Sequence, residues 1–239
     1  MKSKLLSLKP SGNFMNEGRI AIIPARGGSK RISRKNLKSF LGKPILDYSI
    51  KVALNSGLFK EVIVSTEDEE IAEKAVQFGA SVPFLRSKEA ADDFATLADV
   101  MAEVERKLDE QHVAYGMGCL ILATAPLITQ QNLKKGLDVL ETSGFASVRP
   151  MVRFPYPIQR AFSMEQTGKI AMIEKKHLRT RSQDLAPAYY DAAQFYWFKK
   201  GMFQDPNKGA FEISAIEAQD IDTPEDWTLA ELKYNFVNQ

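Results

Sequence analysis

Cysteine and histidine are nearly missing from this 239-residue chain, which has one of the former and two of the latter. A single cysteine cannot close an internal disulfide. Cys119 sits in the apolar run Cys119-Leu120-Ile121-Leu122, so it reads as a small buried hydrophobe, in keeping with a reducing cytoplasmic setting. His112 and His177 lie in unrelated contexts, and neither a histidine-based zinc site nor a Ser-His-Asp arrangement can be assembled around them. His177 reads as a surface residue.

An excess of one charge sign is also missing. Thirty-two Lys and Arg face thirty Asp and Glu, for a net charge of +2, so nothing at the level of the whole chain calls for nucleic acid or an anionic membrane as partner. The longest apolar stretch, from about Met117 to Ile128, is too short for a membrane span and contains Thr124 and Pro126. Repeats and low-complexity tracts are absent, and a composition that is 44% hydrophobic and 26% charged is that of a folded chain. Residues 1–18 carry no convincing secretory core and are expected to form a flexible leader. Residues 19–239 are expected to form one domain.

What is present is an alternation of short apolar runs and amphipathic segments. Ile20-Ala21-Ile22-Ile23 has the continuous apolar character of a strand covered on both faces. Pro44 can open a helix that Gly57 closes. Glu61 to Ser65 reads as a strand, a helix begins near Asp68 and stops at Gly79, and a short strand is expected at Val82 to Leu85. The cycle repeats with a helix through Leu97, Val104 and Leu108, a strand from Met117 to Ala123, and a helix capped by Thr129. This order predicts an α/β fold with a doubly wound, mostly parallel sheet, whose ligands bind at the carboxyl ends of the strands. Between about 150 and 190 the regularity breaks at Pro150, Pro155, Pro157 and Pro187, which predicts an inserted arm; Gln194 to Phe198 returns to the core. Thr223-Pro224-Glu225-Asp226 carries the signals of a capped helix start.

The loop after the first strand is the most informative segment. Arg26, Lys30, Arg31, Arg34 and Lys35 place five cations in ten residues with no acid among them, beside the pair Gly27-Gly28. Backbone N–H groups at glycines approach an anion closely, and the cations neutralise it, so a triphosphate suits this loop; a solvated basic loop is the plainer reading. The Walker A order and the Gly-x-Gly-x-x-Gly fingerprint are both absent. Far along the chain, Asp220 and Asp222 flank Ile221. In an extended segment both carboxylates face one way, a donor pair suited to Mg²⁺ beside phosphate. The plainer reading is a helix-capping region and a solvated acid.

The loop, with Phe40-Leu41-Gly42-Lys43-Pro44, Val64-Ser65-Thr66, Ala123-Thr124-Ala125-Pro126-Leu127 and Asp220-Ile221-Asp222-Thr223-Pro224, resembles the acylneuraminate cytidylyltransferase family, the CMP-sugar synthetases. The fold implied is that of nucleotide-diphospho-sugar transferases with a small dimerisation arm. The segments Pro157 to Ala161, Thr180 to Leu185 and Asp191 to Trp197 are most similar to the branch that uses pseudaminic acid. The resemblance implies that CTP and an acidic nonulosonic sugar give a CMP-sugar and pyrophosphate in a cytoplasmic homodimer. It also implies nucleotide contacts from Ala25 through Lys30, with Lys35, Asn36 and Arg86, in which Arg26, Lys30 and Lys35 act on the triphosphate, and Mg²⁺ at Asp220 and Asp222. A sugar of this class needs a cation, amide or hydroxyl donors and aromatic walls, types that Arg179, Arg181, Gln183, Tyr190 and Gln194 supply. Two departures from relatives stand out. Leu122 replaces a glutamine that sialic acid synthetases place there, which speaks against plain neuraminic acid, and Ser33 replaces a frequent proline.

Overall fold

The structure, a computed structural model, describes residues 18–29, 31–87 and 95–238. The expected leader and Lys30 lie outside the described residues. Strands β1 (Arg19–Pro24), β4 (Glu61–Ser65), β5 (Met117–Ile121), β6 (Ser147–Arg153), β9 (Tyr189–Asp191), β10 (Phe195–Lys199) and β11 (Lys208–Ile213) form one sheet in the order β11-β6-β10-β5-β1-β4. β9 pairs separately with the far half of β6.

The apolar runs explain the layers. Along β1, Ala21 and Ile23 face one hydrophobic cluster while Ile20 and Ile22 face another, and β4 and β5 divide in the same way. Helices α1 (Ile45–Asn55), α2 (Glu69–Phe78) and α4 (Gln130–Thr142) cover the first face with Leu46, Ile71 and Leu133. Helix α3 (Leu97–Glu110) covers the second with Val100, Val104 and Leu108. A sheet buried on both faces has no solvated side, which is why these strands read as unbroken apolar runs.

The expected mostly parallel sheet is present, with one antiparallel strand inside it, and one expected strand is not formed. β10 runs antiparallel to both β5 and β6, so the sheet is mixed, with β1, β4, β5, β6 and β11 sharing one direction. Val82 to Leu85 forms no strand; only Ser81 bridges to Ile63 before Pro83, which has no N–H to donate, carries the chain away. The arm is inserted between β6 and β9, which pair as its stalk, and it contains the hairpin β7 (Phe162–Met164) and β8 (Ile170–Met172).

A third, smaller core positions the site. The hairpin β2 (Ser39–Phe40) and β3 (Lys43–Pro44) turns through Leu41 and Gly42, both with positive φ, as a tight two-residue turn requires. Its Phe40 packs with Ile45, Ile32, Ile221 and Trp227 of helix α5 (Pro224–Val237). Ile32 belongs to the cationic loop and Ile221 to the aspartate segment. Burying both in one cluster brings together two segments that stand nearly two hundred residues apart.

Candidate active site

The cationic loop leaves the carboxyl end of β1. Ala25 is fully buried and its N–H donates to Ser65 O at 2.9 Å, so it extends the strand pairing and sets where the loop begins. Asn36 is also buried. Its Nδ2 donates to Arg26 O at 2.8 Å, fixing the backbone at the residue whose side chain enters the cleft. Neither Gly27 nor Gly28 has a positive φ, so backbone conformation does not require glycine at either position. Gly27 is small because Asp68 packs against it: a Cβ would lie 2.3 Å from Asp68 Oδ2. Gly28 faces open space, with nothing within 4 Å of a built Cβ.

The loop after β4 supplies a wall that sequence reading missed. Glu67 accepts from Gly27 N at 2.7 Å and from Arg86 Nη2 at 2.7 Å. Asp68 accepts from Arg34 and caps α2 through Ile71 N. The signal available was a pair of acids directly after an apolar strand, on the edge where such sheets bind ligands. Arg34 itself has φ of 49°, an unusual backbone for a non-glycine residue, held by its bonds to Asp68 and Glu70. The guanidinium hydrogen-bonded to it holds the Asp68 carboxyl below the usual range.

On the opposite side, Lys35 Nζ donates to Ile221 O at 2.6 Å and lies 3.7 Å from Asp222 Oδ1, and Arg31 Nη2 approaches the same oxygen at 2.8 Å. Ile221 is buried, so Asp220 and Asp222 turn outward together, as their spacing predicted. Asp220 lines the cleft with its side chain still open to solvent, and partial loss of water and then the like charge of Asp222 raise its carboxyl above the ordinary range, against the pull of Lys35. Arg26, Gly28, Lys35, Arg86, Asp220 and Asp222 all line one cavity of about 680 Å³. Ser29 and Asn36 line it as well.

The sugar-side candidates are dispersed. Tyr190 shares a second cavity of about 360 Å³ with Asp220 and Asp222. Gln183 lines a third cavity within the arm, Arg181 Nε pairs with Asp184 at 2.8 Å, and Arg179 is exposed on the arm; none of these three lines the aspartate cavities. Gln194 is walled into the core, 1% exposed, with its amide donating to Glu217 O. Glu217 is also bound by Asn132 Nδ2 at 3.2 Å, so Gln194 anchors the segment that leads to the aspartates, a role that side-chain type alone did not suggest. Among the described residues no group of three His, Cys, Asp or Glu forms a cage for a metal, and no helix is long and apolar enough to cross a membrane.

A mostly parallel sheet with a cationic turn and an acidic pair lining one cavity is suited to a nucleotide, and the chain's relatives are nucleotidyltransferases. The chain belongs to the Cytidylyltransferase family, whose profile matches residues 20–234. It is 41% identical over 221 residues to the pseudaminic acid cytidylyltransferase of Campylobacter jejuni, covering 90% of this chain and 95% of that one. It is 30% identical to the CMP-N,N'-diacetyllegionaminic acid synthase of Legionella pneumophila, covering 89% and 94%. A solved structure of a CMP:2-keto-3-deoxy-manno-octonic acid synthetase complexed with CTP shares the fold, with TM-score 0.66, 15% identity, and coverage of 92% of this chain and 99% of that chain.

Proposed function

We propose that this enzyme couples CTP to pseudaminic acid, giving the CMP-sugar and pyrophosphate. The observation that carries the reading is the single cavity holding both the cationic turn and the aspartate pair, supported by the 41% identity to the Campylobacter enzyme. The sugar's anomeric oxygen attacks the α-phosphorus of CTP. A new O–P bond forms, the bond to the pyrophosphate leaving group breaks, and the hydroxyl proton passes to solvent. Arg26, Lys30 and Lys35 hold the triphosphate and stabilise charge on the departing pyrophosphate. Aligning the two substrates supplies roughly 7–11 kcal/mol of the barrier reduction.

Mg²⁺ fits the donor set. Asp220 is raised by lost hydration and by its like-charged neighbour, and a cation held by Asp220 and Asp222 would offset both effects. Two carboxylates, with phosphate oxygens and water, are what this ion takes. When bound, it supplies charge neutralisation and Lewis acidity at the phosphates.

We assign the sugar's polar groups to Tyr190, beside the aspartates, and to Arg179, Arg181 and Gln183. These last three lie on the arm, whose Phe162, Met164, Ile170 and Ile173 are all exposed. Arms from two subunits pack together and carry these residues over each other's clefts, in a cytoplasmic homodimer. Mass spectrometry of products from CTP, Mg²⁺ and a panel of nonulosonic acids tests the substrate. CMP-pseudaminate as the preferred product supports the assignment; preference for legionaminate, N-acetylneuraminate or 3-deoxy-manno-octulosonate overturns the choice of sugar, and no product with any of them overturns the reaction.

A further inference from the structure

Glu67 stands on the loop after β4 and touches two sides of the nucleotide cavity at once. One carboxylate oxygen accepts from the backbone of the cationic turn at Gly27, the other from Arg86, each at 2.7 Å. Arg86 is fixed at both ends of its side chain, since its backbone N–H also donates to Thr66 O at 2.8 Å. Its side chain is 3% exposed, and among the described residues the buried Nε has no hydrogen-bond partner, while the residue lines the cavity with Arg26 and Lys35. An isolated carboxylate here would repel a triphosphate. Charge-assisted bonds to Arg86 and to a backbone N–H neutralise it and turn it into a brace. Because both oxygens are engaged, neither the turn nor the Arg86 wall can shift without breaking a strong bond.

Building on the nucleotidyltransferase reading, we propose that Glu67 is a positioning residue for CTP. It ties the phosphate-side turn to the wall carrying Arg86 and so presets the width of the nucleotide slot. Bracing of this kind acts on ground-state and transition-state binding alike, so its loss appears in KM for CTP and leaves KM for the sugar unchanged. Glu67→Gln keeps the shape but sets a neutral amide against Arg86, and Glu67→Asp is one methylene too short to reach both partners.

The test uses the full chain with Glu67→Gln, Glu67→Asp, Arg86→Ala and the double variant Glu67→Gln/Arg86→Ala. The readouts are both KM values, calorimetric CTP affinity without sugar, and Tm. The expected result is a CTP KM and Kd raised about tenfold or more in Glu67→Gln with sugar KM nearly unchanged, and a lower Tm because the buried Arg86 guanidinium loses its carboxylate. The double variant should be no worse than Arg86→Ala alone. CTP Kd within about twofold of wild type in Glu67→Gln overturns the proposal, as does a rise of sugar KM in parallel with that for CTP. Wild-type protein that binds CTP but turns over no sugar contradicts the proposed reaction instead, and the calorimetric comparison then decides the role of Glu67 by itself.

Discussion

At Gly27 a methyl group would be forced to within 2.3 Å of Asp68 Oδ2, whereas at Gly28 it would meet nothing within 4 Å. The two glycines look equivalent in sequence, yet one is set by packing and the other by access. Gly27→Ala must push the turn away from a carboxylate that is itself held by Arg34, so a loss of about 1–3 kcal/mol in stability is expected, together with weaker CTP binding. Gly28→Ala should leave stability within about 0.5 kcal/mol of wild type, because its surroundings are open, while still lowering CTP affinity by crowding the cavity. Thermal unfolding and CTP titration of the two variants check this contrast. Equal destabilisation by both would show that the cleft is shaped differently.

At the scale of elements, Asp68 joins two of them, capping α2 and holding the cationic loop through Arg34 while crowding Gly27 of the same loop. Its folded pKa lies below that of the unfolded chain, so it adds stability at pH values above the unfolded carboxylate value, about 3.9, and loses that contribution as pH falls through the folded value. Asp68→Asn should therefore be less stable than wild type at neutral pH, with the gap narrowing below about pH 4. Denaturant titrations across pH measure it, and a gap that is constant down to acid pH would show that the loss does not come from the carboxylate's charge, since Asn can still cap α2. The elements themselves were largely legible. Thr129 and Thr223 cap their helices as the sequence suggested, the latter in a reciprocal box with Asp226, because these signals act within four residues. The loop at Val82 to Leu85 had a signal in Pro83, which cannot donate to a ladder, but the apolar residues around it outweighed that signal. Glu67 and Gln194 were opaque for a different reason. Their partners, Arg86 and Glu217, lie 19 and 23 residues away and meet them only through the fold.

For the whole molecule, the decisive feature is the small cluster of Phe40, Ile32, Ile221 and Trp227, which joins the first loop to the last helix. Sequence pattern marked both segments as candidate sites but carried no information about their meeting; only the resemblance implied it. On the arm, Phe162 is 55% and Met164 76% exposed, so if the proposed dimer forms through it, the double substitution Phe162→Asp/Met164→Asp should give a monomer of 26.8 kDa in light scattering where wild type has twice that mass. An unchanged mass would place any dimer interface elsewhere.

The most direct measurement is a crystal structure of the chain with CTP and Mg²⁺. The expected result is the triphosphate against Arg26 and Lys35, with the metal between its oxygens and the carboxylates of Asp220 and Asp222. Nucleotide bound away from this cavity, or phosphates on the turn with the metal remote from both aspartates, would contradict it.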